Sequence, residues 1–178
     1  FYSVIANYHL SLKFPKLVTE EAEQITHIIP EKEFQTRLDL RNTEIITIDP
    51  TTAKDFDDAI SISKINDALY EVGVHIADVT QYLKTDSAID REARQRANST
   101  YLLDKVIPML PEVLSNDLCS LKPDVDRLTV SAILTIDKDR GVIKSSFHRS
   151  IICSKRRFNY DEVDSILNGS LSDPRKLL

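Results

Sequence analysis

Four aspartates crowd into ten residues between two β-branched runs, and this feature constrains the fold more than any other in the sequence. Asp49, Asp55, Asp57 and Asp58 lie in the segment IITIDPTTAKDFDDAI, residues 45–60. The flanking runs predict strands, so Asp49 ends one strand and Asp58 begins the next. Successive side chains of an extended strand point to opposite faces, so only a curled loop brings all four carboxylates together.

Three interpretations of the aspartates follow from the residues. In the simplest one they cap turns and hold a solvated loop. A calcium-binding EF-hand loop is excluded, because that motif needs an oxygen ligand and a glycine where Ala59 and Ile60 stand. A site for Mg²⁺ or Mn²⁺ is the third, since carboxylate oxygens suit these ions and such sites perform phosphoryl chemistry. The spacing leaves the first and third interpretations open.

Hydrophobic periodicity predicts a mixed α/β (α+β) fold. The predicted strands lie at residues 44–48, 59–63, 69–79, 127–137 and 142–154. The predicted helices lie at residues 18–29, which Pro30 would stop, at 86–98, and from Asn159 to Gly169. Residues 31–42 are charged and weakly patterned, and they predict a connector. The basic clusters REARQR and SKRRF are interpreted as solvated helix faces or strand ends.

The composition bounds the class of protein. A chain of 178 residues with 42% hydrophobic residues fits one domain, or one domain with an appendage. No apolar window approaches the length of a membrane span, so we expect no membrane partner. The net charge of −5 argues against broad wrapping of nucleic acid, but not against a narrow acidic site that meets phosphates through a metal ion. Cys119 and Cys153 lie far apart, which predicts reduced thiols and a cytoplasmic location.

The aspartate segment resembles the signature of the ribonuclease II and ribonuclease R family. The resemblance begins in TIDPTTAKDFDDAISI and continues through VGVHIADVTQYL and DREARQRANSTYLLDKVIPMLPEVLSNDLCSLKPDVDRLTVS. It covers about residues 40–165, and VIPMLPEVLSN and DRLTVS follow the ribonuclease R pattern more closely. Separated motifs in the same order make the match specific.

The resemblance implies an RNB-type catalytic domain with a mostly antiparallel sheet flanked by helices, incomplete in this chain. Residues 1–40 would be a linker that follows a cold-shock-like domain, and residues 41–178 the N-terminal part of the catalytic domain. Family members hydrolyse single-stranded RNA processively from its 3′ end to nucleoside 5′-monophosphates with Mg²⁺. We therefore expect a 3′–5′ exoribonuclease that uses Mg²⁺, with Mn²⁺ as the alternative ion, and acts as a monomer on RNA 3′ ends.

The resemblance also implies the roles of individual residues. Asp49 and Asp58 match metal ligands, Asp57 matches the aspartate essential for catalysis, and Asp55 is expected near the terminal nucleotide and a second metal. The predicted site thus has Asp57 and Asp55 as catalytic residues and all four aspartates as metal ligands. Tyr101 matches an RNA-binding aromatic residue that stacks on a base near the 3′ end. Without the resemblance, Tyr101 reads as an ordinary half-buried loop aromatic.

Two alternative functions stay open: a degenerate relative that only binds RNA, and a metal-dependent endonuclease. The chain begins at Phe1 and ends in a polar run, so we expect a fragment of a longer protein. The family places an arginine-rich motif in the later half of its domain, so we expect this fragment to be inactive alone.

His75 is predicted to be a hydrogen-bonded sheet residue, and Asp78 to be structural.

Overall fold

A computed structural model describes residues 2–8, 10–102 and 105–170. Residues 103–104 and 171–178, which the predicted catalytic segment includes, lie outside the described residues. The described part divides into two compact units, one within residues 1–28 and 79–118 and the other within 29–78 and 119–178. The predicted boundary at residue 40 separates family segments rather than compact units, and it stays a prediction.

The described residues form nine strands and five α-helices. The strands are β1 (Leu38–Asp39), β2 (Ile45–Asp49), β3 (Asp58–Lys64), β4 (Leu69–Ala77), β5 (Thr100–Tyr101), β6 (Val106–Ile107), β7 (Asp126–Asp137), β8 (Gly141–Cys153) and β9 (Arg156–Asn159). The helices are α1 (Tyr2–Asn7), α2 (Lys16–Glu23), α3 (Glu31–Thr36), α4 (Ala88–Arg96) and α5 (Tyr160–Leu167). A π-helical turn also spans Leu114–Leu118. None of the helices in the described part of the chain is long and apolar enough to cross a membrane.

The unit within residues 29–78 and 119–178 contains a seven-stranded sheet in the order β1-β8-β7-β4-β3-β2-β9. The neighbours from β8 to β2 run antiparallel, whereas β1 pairs with β8, and β9 with β2, in parallel. The β3–β4 hairpin turns where the polar KIND segment predicted it, with Asn66 Oδ1 accepting bonds from two backbone N–H groups. The predicted mixed α/β class with a mostly antiparallel sheet is therefore confirmed.

The unit within residues 1–28 and 79–118 contains α1, α2, α4 and the β5–β6 pair. Ser87 caps α4 by accepting a bond from the Asp90 N–H, as its position before the helix predicts. The pattern predicts Ile89, Ala93 and Ala97 as the inner stripe of this helix; Ile89 and Ala93 are buried, whereas Ala97 is exposed because the helix ends there with φ 67°. The Glu21 carboxylate of α2 also accepts bonds from the first two N–H groups of α4, at 2.7 and 3.2 Å.

Two local predictions between residues 18 and 42 are wrong. The predicted helix ends at Glu23 rather than at Pro30, although Val18 and Ala22 are buried as expected. Pro30 instead precedes α3 with φ −61°, and the predicted connector contains α3 and β1. The fixed φ of proline suits the start of a helix as well as its end, so proline alone does not decide between the two.

The strand β4 buries the face that carries His75, although the alternation of apolar residues lies on the other face. Val72 and Val74 are only half-buried and Ile76 is 47% exposed. His75 has no exposed surface, and Gly73 on the same face is buried. The face of β4 with polar and small side chains is thus the one covered by other parts of the protein.

Candidate active site

The four aspartates lie at two adjacent strand ends and in the loop that joins them. Asp49 is the last residue of β2, and Asp58 is the first residue of β3. Asp55 and Asp57 belong to the connecting loop, residues 50–57, which we call the aspartate loop. Because β2 and β3 are antiparallel neighbours, the end of one lies beside the start of the other.

Strand pairing fixes the backbone on both sides of the aspartate loop. Asp49 pairs with Asn159 of β9, and Asp58 pairs with Ile76 of β4. The carbonyl of Asp57 accepts a 3.0 Å bond from the Ala77 N–H. The three aspartates are therefore anchored on β9 and β4, which lie on opposite sides of the β2–β3 pair.

The aspartate loop curls, and Ser120 holds its second half. The loop begins with a turn in which the Ala53 N–H donates to the Pro50 carbonyl at 3.0 Å. The Ser120 hydroxyl donates to the Lys54 carbonyl at 2.8 Å and accepts from the Phe56 N–H at 3.2 Å. Phe56 is buried, so an apolar side chain pins the loop to the protein between Asp55 and Asp57.

Arg157 of β9 contacts both ends of the same loop. Its Nη2 donates to the carbonyls of Pro50, at 2.5 Å, and Thr51, at 2.9 Å. Its guanidinium carbon lies 4.9 Å from the centre of the Phe56 ring. A single cationic side chain thus connects the first two residues of the loop with its buried aromatic residue.

The carboxylates lie within electrostatic reach of one another. Burial, together with the charges of Asp55, Asp58 and Asp49, raises the pKa of Asp57 to about 6. Part of the Asp57 side chain is open to solvent, which screens these charges.

Burial also raises the pKa of Asp49, and the charges of Asp58 and Asp55 act in the same direction. The Thr47 hydroxyl and Arg157 oppose this rise. Thr47 Oγ1 is close enough to favour the ionised carboxylate, yet it makes no geometrically acceptable hydrogen bond within the described residues. Carboxylates that lie this close together stay ionised at neutral pH only at a cost in the stability of the folded protein.

The chemistry of the aspartates fits a hard divalent cation. Asp49 is only 9% exposed, and its Oδ2 atom has no hydrogen-bond partner among the residues that the structure describes. A buried carboxylate oxygen without a donor is suited to a metal ligand. In the described ranges, however, no group of three or more His, Cys, Asp or Glu side chains is drawn together closely enough to hold an ion. Binding would require the carboxylates to move closer, and their role as ligands stays a prediction.

The structure also locates the other predicted residues, of which His75 and Asp78 have structural contacts. Tyr101 lies on β5, in the unit within residues 1–28 and 79–118, and is 63% exposed rather than half-buried. His75 is buried, with Nδ1 2.6 Å from Ser131 Oγ and Nε2 3.1 Å from Ser61 Oγ, as its structural interpretation predicts. Asp78 is buried and pairs with Arg37 at 2.7 Å.

Sequence reasoning missed Ser120 and Arg157 as neighbours of the aspartates. The only sequence signal for Arg157 is the SKRRF cluster, which we interpreted as solvated surface. The cluster instead enters β9, a parallel strand that periodicity did not predict. A serine at position 120 carries no local signal, because it is 66 residues from the carbonyl to which it donates.

Comparison with known structures defines the class of protein to which this fold belongs, that of ribonuclease domains. The solved structure of Mycoplasma genitalium RNase R in complex with double-stranded RNA matches with a TM-score of 0.90 and 33% identity. The match covers 97% of this chain and 31% of that structure. The model of the RNB domain matches residues 37–177. The chain belongs to the RNB domain family.

Named relatives agree with this assignment. Ribonuclease R of Chlamydia pneumoniae is 47% identical over 174 residues, which cover 98% of this chain and 26% of the relative. DIS3-like exonuclease 2 of Xenopus tropicalis is 50% identical over 140 residues, which cover 79% of this chain and 17% of the relative. The predicted resemblance is confirmed, and the chain spans about a quarter or less of the length of these relatives.

Proposed function

We propose that the polypeptide containing this chain is a 3′–5′ exoribonuclease that hydrolyses single-stranded RNA processively to nucleoside 5′-monophosphates with Mg²⁺. The observation that carries the proposal is the curled loop that brings four aspartates to two adjacent strand ends of an RNB domain. The names of the relatives, a ribonuclease and an exonuclease, support RNA as the substrate and attack from a chain end.

Each aspartate has a place in the proposed chemistry. Asp49 and Asp58, fixed by β2 and β3, would hold the ion together with Asp55 and Asp57 of the loop. Bound Mg²⁺ would supply a water that is nucleophilic at neutral pH and a positive charge for the leaving oxygen. The Asp57 carboxyl, whose pKa burial and the neighbouring carboxylates raise, would be kept ionised by the bound cation.

Tyr101 is proposed to stack on a base near the 3′ end of the RNA. Its exposed ring is available for such a contact. Stacking uses the π face that every base has, so it supports binding without sequence preference.

The cytoplasmic location and the monomeric state are kept as proposals. The two cysteines are free thiols, and burial raises the pKa of Cys119 to about 12, which makes it unreactive. Fractionation of cells and light scattering of the purified protein test these two proposals directly.

The experiment that tests the function follows 5′-labelled single-stranded RNA through the reaction. A polypeptide of the relatives' length that contains residues 1–178 is compared with its Asp57→Asn variant, first with Mg²⁺ and then with EDTA. The matched control is Asp67→Asn, the same chemical change on a side chain that is 99% exposed in the β3–β4 turn.

The proposal expects mononucleotides to appear early from the wild type and from Asp67→Asn. Asp57→Asn should lose at least about a hundredfold in rate, because metal-assisted stabilisation is worth several kcal/mol. Internal cuts would instead identify an endonuclease. RNA that is bound but left intact by the wild type would identify a binding module.

A further inference from the structure

We propose that Arg157 is a positioning residue that holds the backbone of the aspartate loop in place, so that its carboxylates can close on a metal ion. This inference rests on the proposed function, since it assigns Arg157 a role in assembling that same site. Arg157 would act through the loop backbone rather than by touching RNA or the ion.

The contacts of Arg157 span the loop rather than one point of it. Nη2 binds the carbonyls of Pro50 and Thr51, directly after Asp49, and the guanidinium lies over Phe56, directly before Asp57. The side chain therefore closes the loop from the first residue after one aspartate to the residue before another. Ser120 binds the second half, whereas the first half is held by its own Ala53–Pro50 turn and by Arg157.

The geometry of the contact calls for a guanidinium. Arginine presents a rigid planar fork of N–H donors and also stacks on aromatic rings, whereas lysine is a flexible point charge. Nη2 alone donates to both carbonyls, while the planar group lies over the Phe56 ring. Lysine at this position would keep the positive charge and lose the planar group that reaches the carbonyls while it lies over the ring.

Three neighbouring buried polar atoms, one of them in Arg157 itself, indicate that this part of β2 and β9 serves a site rather than stability. Thr47 Oγ1, Asp49 Oδ2 and Arg157 Nε are buried atoms without a hydrogen-bond partner within the described residues. Thr47 and Arg157 are paired in register, and Asp49 follows two residues later on the same face of β2. Buried polar groups without a partner destabilise the folded state, and such costs cluster at functional sites.

The test compares two variants of Arg157 with a matched control on the same strand. Arg157→Met removes the charge and the fork, and Arg157→Lys removes only the fork. Arg156→Met removes the same charge one residue earlier, where Arg156 faces Glu162 at 3.7 Å and the Phe158 ring at 4.3 Å. Two quantities are measured: hydrogen exchange of the loop amides and the affinity for Mn²⁺.

Hydrogen exchange reports the loop independently of any ion. We expect the Ala53 and Phe56 amides, both hydrogen-bonded in this loop, to exchange about tenfold faster in Arg157→Met and Arg157→Lys. Arg156→Met should leave them unchanged, and the β4 amides should be unchanged in all three variants. Unchanged loop exchange in both Arg157 variants would overturn the proposal.

The Mn²⁺ titration connects the loop with the site. Arg157→Met should weaken binding about ten- to a hundredfold, as loss of a residue that supports metal ligands typically does. Arg157→Lys should lie between the wild type and Arg157→Met, and Arg156→Met should stay within about twofold of the wild type. An equal loss in Arg156→Met, or full recovery with lysine, would contradict a positioning role and indicate a general charge effect.

The two readouts separate this inference from the proposed function. A wild type that does not bind Mn²⁺ refutes the metal site, while the exchange data still decide whether Arg157 holds the loop. If Arg157→Met fails to fold, Arg157→Lys alone decides both questions, because the fork rather than the charge is at issue.

Discussion

His75 is a fully buried histidine whose ring nitrogens meet only serine hydroxyls in the described structure, Ser131 and Ser61. Serine hydroxyls satisfy the hydrogen bonds of a neutral imidazole, but they do not offset the cost of removing a charged imidazolium from water. Burial accordingly lowers the pKa of His75 to about 4, from an ordinary value of 6.5. A single side chain thus makes the stability of the sheet depend on pH.

We predict that His75 lowers the stability of the protein as the pH falls from 6.5 to 4. Above 6.5 His75 is neutral in both states and contributes nothing, whereas below it the unfolded chain binds a proton that the folded chain refuses. At about 1.4 kcal/mol for each pH unit between the two pKa values, the loss approaches about 3 kcal/mol near pH 4.

Urea denaturation of the wild type and His75→Gln at pH 7, 5 and 4 measures this loss. Between pH 7 and pH 4, the free energy of unfolding of His75→Gln should fall by about 3 kcal/mol less than that of the wild type. His148→Gln, on the exposed part of β8, is the control and should keep the wild-type drop. Equal drops in all three proteins would show that His75 is not the group responsible.

Gly73 is the second residue whose identity the structure explains. A Cβ atom there would lie 2.4 Å from Ser61 Oγ and 2.6 Å from His75 Nε2. The His75 ring therefore occupies the space beside Gly73 in which any other residue would place its side chain.

We predict that Gly73→Ala lowers the free energy of unfolding by about 1–3 kcal/mol, the usual cost of overpacking. Denaturant melts of Gly73→Ala, His75→Ala and the double variant measure the cost and its origin. Because two of the three short contacts are with the ring and the third is with Ser61 Oγ, Gly73→Ala should keep only part of its cost in the His75→Ala background. Identical costs in both backgrounds would place the strain elsewhere.

At the scale of elements, Arg37 joins α3 and β1 to the centre of the sheet. Its Nε donates to Glu33 Oε2 at 2.6 Å and its Nη2 to Asp78 Oδ2 at 2.7 Å. Its Nη1 reaches the carbonyls of Thr129 on β7 and Ser150 on β8. A buried guanidinium thus compensates two buried carboxylates and two strand carbonyls.

We predict that Arg37→Met destabilises the protein by about 3 kcal/mol, because it leaves buried Glu33 and Asp78 with only their longer pairs to the half-exposed Arg149, at 3.4 and 3.5 Å. Arg41→Met is the matched control, since Arg41 pairs with Asp39 and Asp126 at the surface, where solvent screens the charges, and its loss should cost much less. Chemical denaturation of both variants gives the comparison. Similar losses for the two arginines would contradict the importance of burial.

For the whole molecule, the aspartate loop couples folding to metal binding. The four carboxylates repel one another in the metal-free protein, and an ion that binds only the folded state stabilises it. We therefore predict that the loop becomes more ordered when Mg²⁺ or Mn²⁺ binds.

Thermal melts with and without millimolar Mg²⁺ or Mn²⁺ measure this coupling. Stabilisation should approach about 2.7 kcal/mol at an ion concentration of 100 Kd. For a chain of this size, each kcal/mol of stabilisation raises the melting temperature by about 2–4 °C. Asp49→Asn should melt at or above the metal-free wild type and respond little to the ion, whereas Asp67→Asn should respond as the wild type does. A wild type that gains no stability from either ion would refute the prediction.

Local signals in the sequence account for much of the fold. Alternation and β-branching predicted the strands from β2 to β8 in the larger sheet, and Asn159 with Glu162 predicted the capping box that starts α5. Such features depend on neighbours within a few residues, so they can be read directly. Elements that depend on distant partners were missed, as α3, β1 and β9 show.

The sequence by itself determined that four aspartates would stand at two strand ends with a curled loop between them. Only the tertiary structure decided what holds that loop, because Arg157 is 107 residues from the Pro50 carbonyl that it binds. It also decided which face of β4 is buried, since alternation sorts side chains onto two faces but does not specify the one that other segments cover. In both cases the deciding contacts join residues far apart in the chain, which no local pattern encodes.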